Sequence, residues 1–162
     1  MPICSSPRHG AQYVAASDLV ERLAEIKTVL QSLIALPIGR FLKKDLLDRA
    51  LWNVTFVTGN AQGKFMGRYR SAATIKEAGL KIERDHVYRR KTLLQDLLSS
   101  SCDLDRIIRL AQCCVVLTAS EHRSVADIDG GRKFRLANIV VYDMCDRSEV
   151  DPEALWPPYQ DY

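Results

Sequence analysis

Two histidines stand at the ends of strand-like stretches, each with a carboxylate beside it. Leu80-Lys81-Ile82-Glu83-Arg84 alternates apolar and charged residues, the period-two pattern of a half-buried strand, and delivers Asp85-His86 at its end. Cys113-Cys114-Val115-Val116-Leu117 is a continuous β-prone run, as in a strand buried on both faces. Thr118-Ala119-Ser120-Glu121 then forms a full capping box, which puts His122 in the first turn or so of a brief helix. A neutral imidazole can ligate a divalent metal or take a proton near pH 7, and a neighbouring carboxylate can supply a second ligand. If the two strand ends converge beside a basic surface, the chemistry that fits is metal-assisted phosphodiester hydrolysis. The structural alternative is a hydrogen-bonded turn at Asp85-His86 and a solvated helical turn at Glu121-His122.

The basic surface is local. Residues 64–91 hold nine basic side chains (Lys64, Arg68, Arg70, Lys76, Lys81, Arg84, Arg89, Arg90, Lys91) against three acidic ones. The rest of the chain, with 14 basic and 17 acidic residues, is slightly acidic, so the net charge of +3 comes entirely from this segment. Such one-sidedness points to a polyanionic partner. With Phe65, Tyr69 and Tyr88 interleaved, the run suits phosphate contacts and base stacking. Lys64, Arg68, Arg70, Arg84, Arg89, Arg90 and Lys91 are the candidate nucleic-acid contacts, for DNA or RNA without sequence-specific readout, because no recognition-helix or RNA-binding signature is present.

The two histidine-bearing stretches resemble a known family. Ile82-Glu83-Arg84-Asp85-His86-Val87 is similar to the first strand of HNH nucleases, the ββα-metal fold. Val115-Val116-Leu117-Thr118-Ala119-Ser120-Glu121-His122 is similar to the second strand and helix start of that motif. The resemblance covers residues 80–125. It implies His86 as general base, with Asp85 and His122 as ligands of a divalent ion such as Mg, Mn, Zn or Ni. It departs from the family at Tyr88-Arg89-Arg90-Lys91, which opens a helix where the family has a proline-containing, Gly-rich loop, and in having no counterpart of the family's middle asparagine. The implied function is that of a small nuclease of bacterial or phage type, active or degenerate. From a different class comes a non-enzymatic inhibitor or adaptor, docking through the basic face on an acidic protein or a ribonucleoprotein.

The elements that must position these residues follow from spacing. Residues 1–16 read as a loose arm. Asp18 with Glu21 is a capping-box variant opening a helix whose apolar residues, Leu19, Leu23, Ile26, Leu30, Leu33 and Ile34, repeat at three-to-four spacing until Pro37. A second helix is predicted over 41–58, with Leu42, Leu46, Ala50, Leu51, Val54 and Val57 as its stripe. Ser71 caps a short helix over 72–78, and helices over 91–98 and 104–112 are separated by a serine break and an Asp103 cap. Gly130-Gly131 makes a turn, and 138–142 reads as a last buried strand before a Pro-rich tail at 151–162. The expected architecture is a single α+β domain over 17–150, with a helical N-terminal half and a small sheet of two to three strands interleaved with short helices. Leu23, Leu30, Leu51, Val54, Ile82, Leu94, Ile108, Val115, Leu117 and Val140 are the nominated core.

Composition narrows the class. At 162 residues the chain can hold a core without staples, and 47% apolar with 27% charged residues is wrong for a disordered chain. No apolar run is long enough to span a membrane, and the N-terminus lacks a secretory layout, so no membrane partner and a cytoplasmic location are expected. Five cysteines without a C-x-x-C spacing read as reduced, mostly structural thiols, with a vicinal Cys113-Cys114 disulfide as the sharper alternative. A P-loop, a G-x-G-x-x-G after a strand and a G-x-S-x-G are all missing, which argues against nucleotide-dependent and α/β-hydrolase chemistry.

Overall fold

Leucines at three-to-four spacing build the first two helices, and Pro37 separates them because it cannot continue the first. The computed structural model describes residues 12–59, 67–77 and 79–155. In chain order these form α1 (Leu19–Ala35), α2 (Arg40–Gly59), β1 (Tyr69–Ser71), α3 (Ala72–Lys76), β2 (Ile82–His86), α4 (Arg90–Leu97), α5 (Leu104–Gln112), β3 (Cys114–Thr118), α6 (Ala119–Val125), α7 (Arg132–Leu136), β4 (Val141–Asp143), β5 (Ser148–Val150) and a 3-10 turn at Pro152–Ala154. The fold is α+β with a helical N-terminal half. Among the described residues no helix is long and apolar enough to cross a membrane.

Leu19, Leu23 and Leu30 of α1 pack with Leu47, Leu51 and Val54 of α2, and α4 and α5 complete this helical core with Leu93, Leu97, Ile107 and Ile108. Leu42, expected on the buried stripe, is exposed, and Leu47 takes the interior position. A row of i+4 steps rotates about 40° per step around a helix, so the row through Leu46, Ala50 and Val54 reaches the core only in its later turns. Asp18 precedes α1 without capping it through its side chain and instead pairs with Arg22 at 2.6 Å.

The sheet has five strands in the order β2-β3-β1-β4-β5, with β1 parallel to β3 and the other neighbours antiparallel. The sequence predicts only two or three strands; β1 and β5, three residues each, show no apolar run or alternation of their own. Alternation sorts the sheet into two faces. Tyr69, Val115, Leu117 and Val141 point toward a second core with Val125, Phe134 and Leu155. The opposite face looks toward α2, where Arg84 donates to the Thr55 carbonyl at 3.3 Å.

Two expectations about the ends of the domain are corrected. Val140 is exposed and Val141 is wholly buried, because Asn138 turns into the left-handed region (φ 55°) and β4 begins only at Val141. The described part of the N-terminal arm packs: the Tyr13 amide donates to the Met144 carbonyl and the Tyr13 hydroxyl to the Thr58 carbonyl, each at 2.8 Å. The start of the tail packs too, since Leu155 is buried in the sheet-side core and Arg135 of α7 pairs with Asp151 and Glu153, each at 3.1 Å. Cys102, Cys113, Cys114 and Cys145 are free thiols, and Cys4 lies outside the described residues.

Candidate functional site

Asp85 and His86 occupy consecutive positions of β2, paired across to Val115 and Cys114 of β3. Consecutive strand residues face opposite ways, and here they enter different environments.

On one face the Asp85 carboxylate meets α6 and α7. His122 Nε2, half-buried on α6, lies 3.6 Å from Asp85 Oδ1, and Lys133 Nζ of α7 lies 2.5 Å from Asp85 Oδ2. Lys133 is only 1% exposed, and its ammonium also donates to the His86 carbonyl at 2.5 Å. Burial pushes the Asp85 carboxyl above the ordinary carboxylate range, against the opposing pull of Lys133 and His122. The α6 cap fixes His122 here. Thr118 Oγ1 accepts from the Glu121 amide at 3.2 Å, and Glu121 returns the bond by accepting from the Thr118 amide at 2.8 Å. The same Glu121 oxygen accepts from the Ser71 hydroxyl at 2.7 Å, tying α6 to β1.

On the other face the His86 ring meets α2. Its Nε2 shares a hydrogen bond of 2.7 Å with the Thr55 hydroxyl, which also donates to the Ala111 carbonyl of α5 at 3.3 Å. The Trp52 ring tilts against it with centroids 5.8 Å apart. Burial, then the cations Arg90, Arg84 and Lys133, depress the imidazole to a pKa of about 4, so it is neutral near pH 7. Burial pushes the neighbouring Cys114 thiol up to about 12, which keeps it protonated and inert.

The structure therefore brings together Asp85 and His122, the two residues expected as metal ligands, and separates both from His86, the expected general base. Among the described residues no three His, Cys, Asp or Glu side chains gather as a metal-ligand set. A divalent ion also does not fit the Asp85 carboxylate, because a lysine ammonium already occupies its Oδ2. Lys133, Thr55 and Trp52 define these two environments and were not foreseen. Nothing in the local pattern around Gly130-Gly131-Arg132-Lys133 signals a buried lysine, whose partner lies 48 positions away in sequence.

The basic run does not form one face. Lys64 and Phe65 lie outside the described residues. Arg68 makes a two-pronged contact with Asp143, at 2.7 Å through Nη2 and 3.0 Å through Nε. Arg70 is 1% exposed and donates to the Gly67 carbonyl at 3.1 Å, and burial pulls its guanidinium down to about 10. Arg84 is likewise drawn inward. The Arg89 amide donates to Asp129 at 2.8 Å. Arg90 pairs with Asp48 at 2.7 Å and lies over the Trp52 ring, 4.8 Å from its centroid, while Lys91 is exposed. The aromatic candidates for stacking are also withdrawn: Tyr69 is buried and Tyr88 is half-buried. Carboxylates from outside residues 64–91 pair with two of the segment's arginines, Asp143 with Arg68 and Asp48 with Arg90, while the Arg89 side chain is exposed.

Comparison with family models, with curated proteins and with solved structures returns no match.

Proposed function

We propose that this chain is a non-enzymatic interaction protein that docks on an acidic protein partner through the cations left outward at the start of α4 and along α2. The observation that carries the reading is the sorting of the basic run. Arg68, Arg70 and Arg84 are turned into an ion pair or the interior, whereas Arg89 and Lys91 stay exposed at the start of α4, with Lys44 of α2 beside Lys91. The separation of His86 from Asp85 and His122 supports it by leaving hydrolysis without an assembled centre. Withdrawal of Tyr69 and Tyr88 favours a protein over a nucleic acid, since base stacking needs open rings. The setting is cytoplasmic, where thiols such as Cys113 and Cys114 stay reduced.

Fluorescence anisotropy with a labelled polyglutamate peptide and a labelled oligo-dT of equal length tests this, alongside plasmid incubation with Mg²⁺, Mn²⁺, Zn²⁺ and Ni²⁺. The expected result is salt-sensitive binding of polyglutamate, weaker binding of oligo-dT and intact plasmid. Tighter binding of oligo-dT, together with a high 260/280 nm absorbance ratio in the purified protein, would hand the surface to nucleic acid. Metal-dependent cleavage abolished by His86→Ala would restore the nuclease.

A further inference from the structure

The outward face of α2 carries three large rings among its charged residues, where a solvent-facing helix is ordinarily polar. Phe41 is 90% exposed, Trp52 44% and Phe56 46%. Three turns separate the first two rings and one turn the last two, so all three share a stripe about 22 Å long. Beside this stripe α4 completes a groove. One cavity of about 380 Å³ runs from Phe41 and Lys44 to Lys91, and a second of about 520 Å³ runs past Arg49 and Trp52. The two lie side by side and share the Asp48–Arg90 ion pair in their linings.

The charges around the groove say what would cover it. Asp45 is matched by Arg49 at 3.1 Å and Asp48 by Arg90 at 2.7 Å, which leaves Lys44 and Lys91 as the surplus among the described residues lining it. The uncompensated field is positive and lies at the Phe41 end. Stacking of a nucleic-acid base would need the face of the Trp52 ring over which the Arg90 guanidinium lies, whereas an apolar side chain needs only the part of the ring that stays exposed. Self-docking of this same face in a second copy would offer these lysines only carboxylates that are already paired.

We propose that this groove takes an amphipathic helix of an acidic protein, about four turns long. Apolar anchors on one side of that helix meet Phe41, Trp52 and Phe56, and flanking carboxylates meet Lys44 and Lys91. The inference rests on reading the chain as a protein that docks an acidic partner, and it adds the surface and the shape of the ligand.

The test is a display library of peptides about 18 residues long, patterned apolar at i, i+4, i+7 and i+11 with acidic flanks, selected on the whole chain against a library of equal composition and scrambled pattern. Phe41→Ser is the reporting variant, because so exposed a ring can be removed without unfolding the helix, which circular dichroism checks. The expected result is enrichment of the patterned library, with selected peptides losing about tenfold in affinity for Phe41→Ser and for Lys91→Glu. Equal recovery of both libraries, or equal binding of selected peptides to Phe41→Ser, overturns the groove. If polyglutamate still binds in that case, docking on an acidic partner survives without this surface; if it does not, both fall. Concentration-dependent dimerisation in sedimentation, abolished by Phe41→Ser, would replace the foreign helix with a second copy.

Discussion

The Lys133 ammonium lies 2.5 Å from Asp85 Oδ2, and the two side chains, 2% and 9% exposed, form an almost dry ion pair joining α7 to the edge strand β2. Removing one member of such a pair leaves the other charge buried and unmatched. Lys133→Met is therefore expected to cost about 3–5 kcal/mol in urea unfolding at neutral pH, and adding Asp85→Asn should recover most of it. The pH dependence has a definite sign. Burial already holds the Asp85 carboxyl above its ordinary value, so its contribution is fully present below the unfolded value and is lost as pH rises through the folded one. The single variant should regain stability relative to wild type as the medium is acidified. A Lys133→Met protein as stable as wild type at pH 7 would show the pair to be energetically neutral.

His86 acts in the opposite sense. Its pKa falls from 6.5 to about 4, so between those values the unfolded chain takes up a proton that the folded one refuses. Stability from this residue is present above about pH 6.5 and declines as pH falls toward 4, by roughly 3 kcal/mol in all. His86→Gln should remove that slope, so the stability gap between wild type and variant narrows across this range. Parallel pH profiles would refute it, as would a histidine NMR titration placing His86 near 6.5.

Gly131 holds a close approach that its φ of −64° does not reveal. A Cβ there would fall 1.8 Å from the Pro152 carbonyl oxygen, a backbone atom. Gly131→Ala should force α7 away from the 3-10 turn at Pro152–Ala154 and cost about 1–3 kcal/mol. Gly79, with φ 85° and open space around it, fails for the other reason, backbone strain. Thermal unfolding of Gly131→Ala at the wild-type midpoint would argue that the turn yields freely.

At the start of β4 neighbouring valines should differ sharply. Val141→Ala is expected to cost about 2 kcal/mol and Val140→Ala less than about 0.5 kcal/mol. Equal costs from denaturant unfolding would contradict the register of this strand.

What the sequence disclosed follows the range of the interactions involved. The Ser71, Asp103 and Thr118-Glu121 caps were readable because each closes within three residues, and all three form. The helices were readable because a leucine stripe repeats over many turns. The strand β2 was seen, but the meaning of adjacent Asp85 and His86 depends on which layers cover the two sides of the sheet, and no local pattern reports that. The basic run misled for the same reason: its acidic partners, Asp48 and Asp143, enter from elsewhere along the chain. Lys133 was invisible because a lysine reads as a surface residue until its carboxylate is located.

The outer margin of β2 is also guarded. A border strand ordinarily presents open acceptors on which another polypeptide can nucleate a ladder. The carbonyl that ends this strand is already claimed by the internal ammonium. A foreign β-segment arriving at this end of the strand finds that carbonyl taken, and pairing there would first have to evict Lys133.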